Sequence, residues 1–133
     1  MQLILTKEQR KILSTDAINK KPNESCALLF GKKENDKIII NEIFPAENIE
    51  QSPINFTISN DQLIQGYKIA EEKGLDVIGV FHSHPDSEAY PSATDKKFME
   101  VNPIAWVIFS ALKNEFKAYM LESDIVSIQI VEN

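Results

Sequence analysis

The stretch FHSHPDSEAYPSATD, Phe81 to Asp95, holds both histidines of a 133-residue chain, one residue apart. It continues the apolar run Val77–His82, which reads as a strand, with Gly79 marking a bend or a close backbone approach. In a strand, residues i and i+2 point to the same face, so His82 and His84 can offer two ring nitrogens to one point. Zinc uses such a pair when a third protein ligand joins it, and a catalytic zinc keeps a fourth position open for water. Asp95 is the natural third ligand. Pro85, Asp86, Ser87 and Pro91 can turn the chain back over the strand end, and a helix opening at Ser92 sets Asp95 in its first turn. Other readings stand beside this one. Ser92-x-x-Asp95 is a capping box, which alone explains both residues, and an isolated His-x-His at a strand end is often plain surface. Asp86 and Glu88 compete with Asp95, although loop residues so close to His84 are poorly placed to reach the open face. A two-histidine, one-carboxylate zinc site is hydrolytic and needs a general base, usually a glutamate that is not itself a ligand.

Outward from this stretch, strand and helix signals alternate. Gln2–Leu5 reads as a short edge strand, and Thr6 with Gln9 as a capping box for a helix that runs to about Asn19 and buries Ile12, Leu13 and Ala17. Lys21-Pro22-Asn23 ends it. Glu24–Lys32 is apolar on both faces, as a central strand is, and Lys33–Asp36 is a hairpin turn into Lys37–Phe44. After a loop around Pro45–Pro53, Ser59 and Gln62 repeat the cap signal. Leu63, Tyr67 and Ala70 then form the buried stripe of a second helix, and Gly74 suits its left-handed end. The helix from Ser92 stops before Asn102-Pro103. Ile104–Ser110, Glu115–Leu121 and Ile125–Val131 are further strands, the last two a hairpin or short meander. The sum is an α/β (α+β) fold, one domain over residues 1–133, with a mixed central sheet flanked by about three helices.

Composition narrows the function classes. Hydrophobic residues make up 43% and charged residues 26%, ordinary for a globular protein with a real core. A net charge of −6 argues against nucleic acid as a partner, because phosphate neutralisation needs a basic stripe. No basic leader with a long apolar run opens the sequence and no eighteen apolar residues run together, so a cytoplasmic protein without membrane contact is expected. Cys26 is the only cysteine, which excludes an internal disulfide and a Cys-x-x-Cys motif. In its apolar strand it reads as a buried structural thiol rather than a nucleophile.

His82-Ser-His84-Pro85, six residues, then Ser92-x-x-Asp95 is similar to the signature of the JAMM metalloproteases, also called MPN+ domains, at every signature position. Pro22-Asn-Glu24-Ser-Cys26-Ala-Leu28-Leu29-Phe-Gly31 resembles the family segment that carries the catalytic glutamate. Ala27 stands where the family usually has glycine, a departure that bears on packing more than on chemistry. Asn48, Ser52-Pro53, the helix after Ser59 and Trp106–Ser110 resemble stretches of the compact bacterial and archaeal members, so the resemblance covers nearly the whole chain. It implies a cytidine-deaminase-like architecture and one zinc ion per chain, held by His82, His84 and Asp95. Glu24 would take a proton from the water that the zinc activates and pass it to the leaving amine, and Ser92 would hydrogen-bond that water or the developing oxyanion. The implied reaction is cleavage after the C-terminal Gly-Gly of a ubiquitin-like or sulfur-carrier protein, by a metallopeptidase or isopeptidase. An extended tail of that kind can bind as an added strand. Eukaryotic relatives grip a second ubiquitin with long insertions, and the eight residues from Asp95 to Pro103 leave no room for them on that side.

Two further classes compete. A non-catalytic MPN-type scaffold typically lacks a metal ligand, whereas every ligand and the glutamate are present here. A RadC-like protein shares the motif spacing but usually adds a helical DNA-binding region, for which this acidic chain has no room. Nucleotide deaminases share the general fold but need His-x-Glu and Pro-Cys-x-x-Cys, both absent. The loop from Pro45 to Ile58 is either a substrate-facing edge or an ordinary surface loop.

Overall fold

Short apolar segments separated by capped helices fold into a mixed sheet in the computed structural model of the chain, which describes residues 1–132. In chain order the elements are β1 (Gln2–Ile4), α1 (Lys7–Lys20), β2 (Cys26–Glu34), β3 (Lys37–Ala46), α2 (Asn60–Glu72), β4 (Asp76–His84), α3 (Ala93–Val101), β5 (Ala105–Ser110), β6 (Glu115–Leu121) and β7 (Ile125–Val131). The strands order as β1-β3-β2-β4-β5-β6-β7 and close into a barrel. Pairs β1–β3, β1–β7 and β4–β5 are parallel and the others antiparallel. The α+β class predicted from the sequence holds, with a correction at the start of the chain. Gln2–Ile4 is not an edge, because Leu3 pairs with Ile38 on one side and Ile130 on the other. Its run of apolar residues explains why: Leu3 and Leu5 are fully buried, whereas an edge strand keeps a solvated face.

Alternation along the strands sends side chains to two cores. Ala27, Leu29, Phe81 and Val107 pack on one side with Leu13 and Ala17 of α1. Cys26, Leu28, Val80 and Trp106 pack on the other with Ala70 of α2 and Met99 of α3. Both cap signals at the helix starts are made, Thr6 with Gln9 as a full capping box and Ser59 accepting from the Gln62 amide. Gln62 does not reach back, since its side chain accepts from the Glu47 amide instead.

The helix faces differ from expectation by one position each. Ile12 is 53% exposed, and α1 is anchored by Leu13 and Ala17, spaced i, i+4. Tyr67 is 52% exposed, and α2 turns Gly66 and Ala70 to the sheet. A Cβ at position 66 would come within 2.6 Å of Leu28, so the helix lies too close to the sheet for a large ring beneath it. Gly74 takes the left-handed conformation expected after α2, with φ of 68°.

Candidate metal centre

The end of β4 is fixed from both sides. His82 is the register partner of Cys26 in β2 and of Ile108 in β5, and His84 that of Ser110. Between the histidines, Ser83 turns the other way and clamps β2: Ser25 donates from its amide and its hydroxyl to Ser83 Oγ at 2.8 and 3.0 Å, and the Ser83 amide donates to the Ser25 carbonyl at 3.1 Å. Continuing that antiparallel register by one residue sets Glu24 across from His84. Glu24 is held by its backbone, the amide donating to the Ser52 carbonyl at 2.8 Å and the carbonyl accepting from Asn48 Nδ2 at 3.1 Å.

Three successive carbonyls of the following loop are then tied down. His84 Nδ1 donates to Glu88 O at 2.7 Å, Ser110 Oγ to Ser87 O at 2.7 Å and Tyr119 Oη to Ala89 O at 2.6 Å. The loop delivers Ser92, which caps α3. Ser92 Oγ accepts from the Asp95 amide at 3.0 Å, and Asp95 Oδ2 accepts from the Ser92 amide at 2.9 Å. The same Oδ2 lies 3.1 Å from His82 Nε2 and 3.2 Å from His84 Nε2, and the two Nε2 atoms are 3.0 Å apart. Cap and cluster are therefore one structure. Asp86 and Glu88, the competing carboxylates, are exposed on the loop, and Glu88 offers the site only its carbonyl.

This triangle fits a divalent metal. With Nδ1 of His84 donating to a carbonyl, the neutral ring would offer the lone pair of Nε2 to an ion held in the cluster. A tetrahedral ion with bonds of 2.0–2.1 Å separates its ligands by about 3.3 Å, close to the spacings found. His82, His84 and Asp95 are all buried and positioned to bind a metal ion. Burial lowers the His82 imidazole. Burial also lowers His84, but its hydrogen bonds to Asp95 and the Glu88 carbonyl outweigh that and raise it. Burial raises Asp95, yet the bonds to the two histidines outweigh it and hold the carboxyl below the usual carboxylate range. Glu24 is 4% exposed, and burial pushes its carboxyl up to about 8 against the opposing pull of His84. Its Oε1 has no hydrogen-bond partner among the described residues. Cys26 is buried as expected, and burial pushes its thiol up to about 12, which leaves no thiolate for nucleophilic work.

The loop after β3 is more than surface, for Asn48 and Phe56 are buried in it. Phe56 stacks on the His82 ring, centroids 4.7 Å apart. Neither contact shows in periodicity; the available signal is one aromatic residue set in the polar segment from Asn48 to Ser59. Phe56 and Trp106 also line an apolar groove of about 170 Å³ with Leu28, Leu63, Tyr67 and Phe98, so the groove adjoins the cluster. A depression of about 460 Å³, lined by Lys20, Asn23, Pro45, Ala46, Glu47 and Asn48, reaches Glu24.

Fold and site together define an α+β protein built around a cluster of two histidines and one carboxylate positioned to bind a metal ion. The family model described as prokaryotic homologs of the JAB domain matches residues 6–122, and the chain belongs to that family, a compact branch of the JAMM group. Among curated proteins, it is 32% identical over 123 residues to the desampylase of Pyrococcus furiosus, covering 91% of this chain and 81% of that one. It is 26% identical over 117 residues to the CysO-cysteine peptidase of Mycobacterium bovis, covering 84% and 79%. The solution structure of a protein from Desulfitobacterium hafniense superposes with a TM-score of 0.89 at 28% identity, covering all of this chain and 93% of that one.

Proposed function

We propose that the protein is a zinc-dependent metallopeptidase or isopeptidase that releases a ubiquitin-like or sulfur-carrier protein by cutting after its C-terminal Gly-Gly. The observation that carries this reading is the convergence of His82, His84 and Asp95 within 3.0–3.2 Å of one another, with Glu24 placed beside them by the β2–β4 register. The names of the relatives, a desampylase and a CysO-cysteine peptidase, support the substrate class.

Zinc held by the three ligands would supply Lewis acidity, polarising the scissile carbonyl and acidifying a water molecule to near neutrality. The chain's own residues handle the rest. Glu24 takes a proton from the attacking water, whose oxygen bonds to the glycine carbonyl carbon. As the C–N bond breaks, the same carboxyl delivers that proton to the amine, leaving a free carboxylate on the carrier. Burial suits Glu24 to this traffic, because it raises the basicity of the carboxylate toward neutral pH. Ser92 Oγ already accepts from the Asp95 amide, so its own hydrogen is free to donate to the oxyanion. Glycine at the cut presents least bulk to ligands this deeply buried.

The test pairs metal content with turnover. A carrier protein extended past its Gly-Gly is incubated with wild type and Glu24→Gln. Wild type carrying about one zinc per chain cleaves and loses cleavage on chelation. Glu24→Gln keeps the zinc and loses at least about a hundredfold in rate. A fully active Glu24→Gln would remove Glu24 as the base.

A further inference from the structure

The two histidines of the cluster are held in different ways. The His84 ring is oriented by its Nδ1 hydrogen bond to the Glu88 carbonyl, as metal-bound imidazoles usually are. His82 has no counterpart to it: its Nδ1 is buried without a hydrogen-bond partner among the described residues. What touches the His82 ring is aromatic. Phe56 stacks on it at 4.7 Å with the planes 20° apart, and Trp106 meets it edge-on at 5.7 Å and 81°. Phe56 and Trp106 also contact each other, at 6.1 Å and 61°. Two rings that brace one another thus confine the imidazole. Turning His82 about its Cβ–Cγ bond would swing Nε2 away from His84 and Asp95, and would drive the ring into Phe56.

Trp106 is fixed by β5, but Phe56 lies outside any helix or strand. Asn48 holds it there. Asn48 Nδ2 donates to the carbonyls of Glu24 at 3.1 Å and Asn55 at 3.0 Å, and Oδ1 accepts from the amides of Glu50 at 3.1 Å and Thr57 at 3.2 Å. Asn55 and Thr57 are the residues on either side of Phe56, and Glu24 carries the base. We propose that Phe56, locked in place by Asn48, is a positioning residue for the metal ligand His82, its ring doing the orienting that a hydrogen bond does for His84. This rests on the cluster being a metal centre.

Phe56→Leu keeps apolar bulk and removes the ring, whereas Phe56→Tyr keeps the ring. Each is compared with wild type for zinc affinity by competition with a chromogenic chelator, for the visible spectrum of the cobalt(II)-loaded protein, and for thermal unfolding of the metal-stripped protein. Phe56→Leu is expected to weaken zinc binding by about tenfold or more and to shift the cobalt bands, with Phe56→Tyr close to wild type and stripped-protein unfolding similar in all three. Unchanged affinity and spectrum in Phe56→Leu would overturn the proposal and leave the metal centre standing. So would a loss of zinc that Phe56→Tyr shares in full, or one that only follows a fall in stripped-protein stability. A wild-type protein that takes up neither zinc nor cobalt would overturn the metal centre, and this inference with it.

Discussion

Asp95 Oδ2 accepts the Ser92 amide and also faces both imidazoles, so substitutions can divide its two roles. Asp95→Asn keeps an oxygen for the amide and removes the charge. At alkaline pH the metal-stripped variant should unfold near wild type yet bind little zinc, whereas Asp95→Ala should also lose about 1 kcal/mol of stability with the cap. Zinc analysis and urea unfolding separate the outcomes, and tight zinc binding by Asp95→Asn would remove the ligand role. Glu24 gives a pH dependence of definite sign. Between the ordinary 4.5 and about 8, the folded metal-stripped protein keeps a proton on Glu24 that the unfolded chain has released. Its contribution to stability is therefore full below the lower value and lost as pH rises through the upper one. Unfolding free energies from urea titrations at about pH 5 and about pH 9 should differ by on the order of 3 kcal/mol more in wild type than in Glu24→Gln; parallel losses would show that Glu24 is not the group responsible. The residues legible from sequence are those with local spacing, i and i+2 for the histidines and i, i+3 for Ser92 and Asp95. Glu24 became legible only through family resemblance, because its place depends on a register between residues 58 apart in sequence.

At the scale of elements, β2 is where a small change has a large effect. Its register shifts against β3 between Phe30 and Gly31, where Asn41 is passed over, and against β4 between Leu29 and Phe30, where Ile78 is, so each extra residue lies on the partner strand. A Cβ on Gly31 would stand 1.8 Å from the Ile39 carbonyl oxygen, and backbone cannot yield as a flexible side chain does. Gly31→Ala should cost about 3 kcal/mol or more, or abolish folding. Thermal unfolding within a few degrees of wild type would mean that the strands part at little cost. Helix starts and strand cores were readable because caps and apolar runs are local. The faces of α1 and α2 depart from the sequence reading only at Ile12 and Tyr67: Leu13 and Ala17 suffice to anchor α1, and Gly66 beside Ala70 brings α2 too close to the sheet for a large ring. Asn48 and Phe56 gave no periodic signal, since loop residues are placed by hydrogen bonds and ring contacts that only the fold brings together.

At the scale of the molecule, the sheet is closed by three residues of β1, and closure was the feature least visible in the sequence. So short a segment carries no sign of pairing on both sides, and its partners lie in β3 and β7. Leu3 is fully buried at that seam, and Leu3→Ala should cost about 2–5 kcal/mol. A denaturant titration checks this, and a loss under about 1 kcal/mol would show a loose seam. The seam also bears on how the molecule is made. The Gln2↔Gln129 pairing spans nearly the whole described chain, so β1 has no β7 to pair with until the ribosome has released almost everything between them. Until then the edge of β7 that β1 will cover does not exist, and Leu3 and Leu5 travel with an unfinished shell. Loop-closure entropy delays such distant contacts, so the final sealing of the barrel should be a late event in folding.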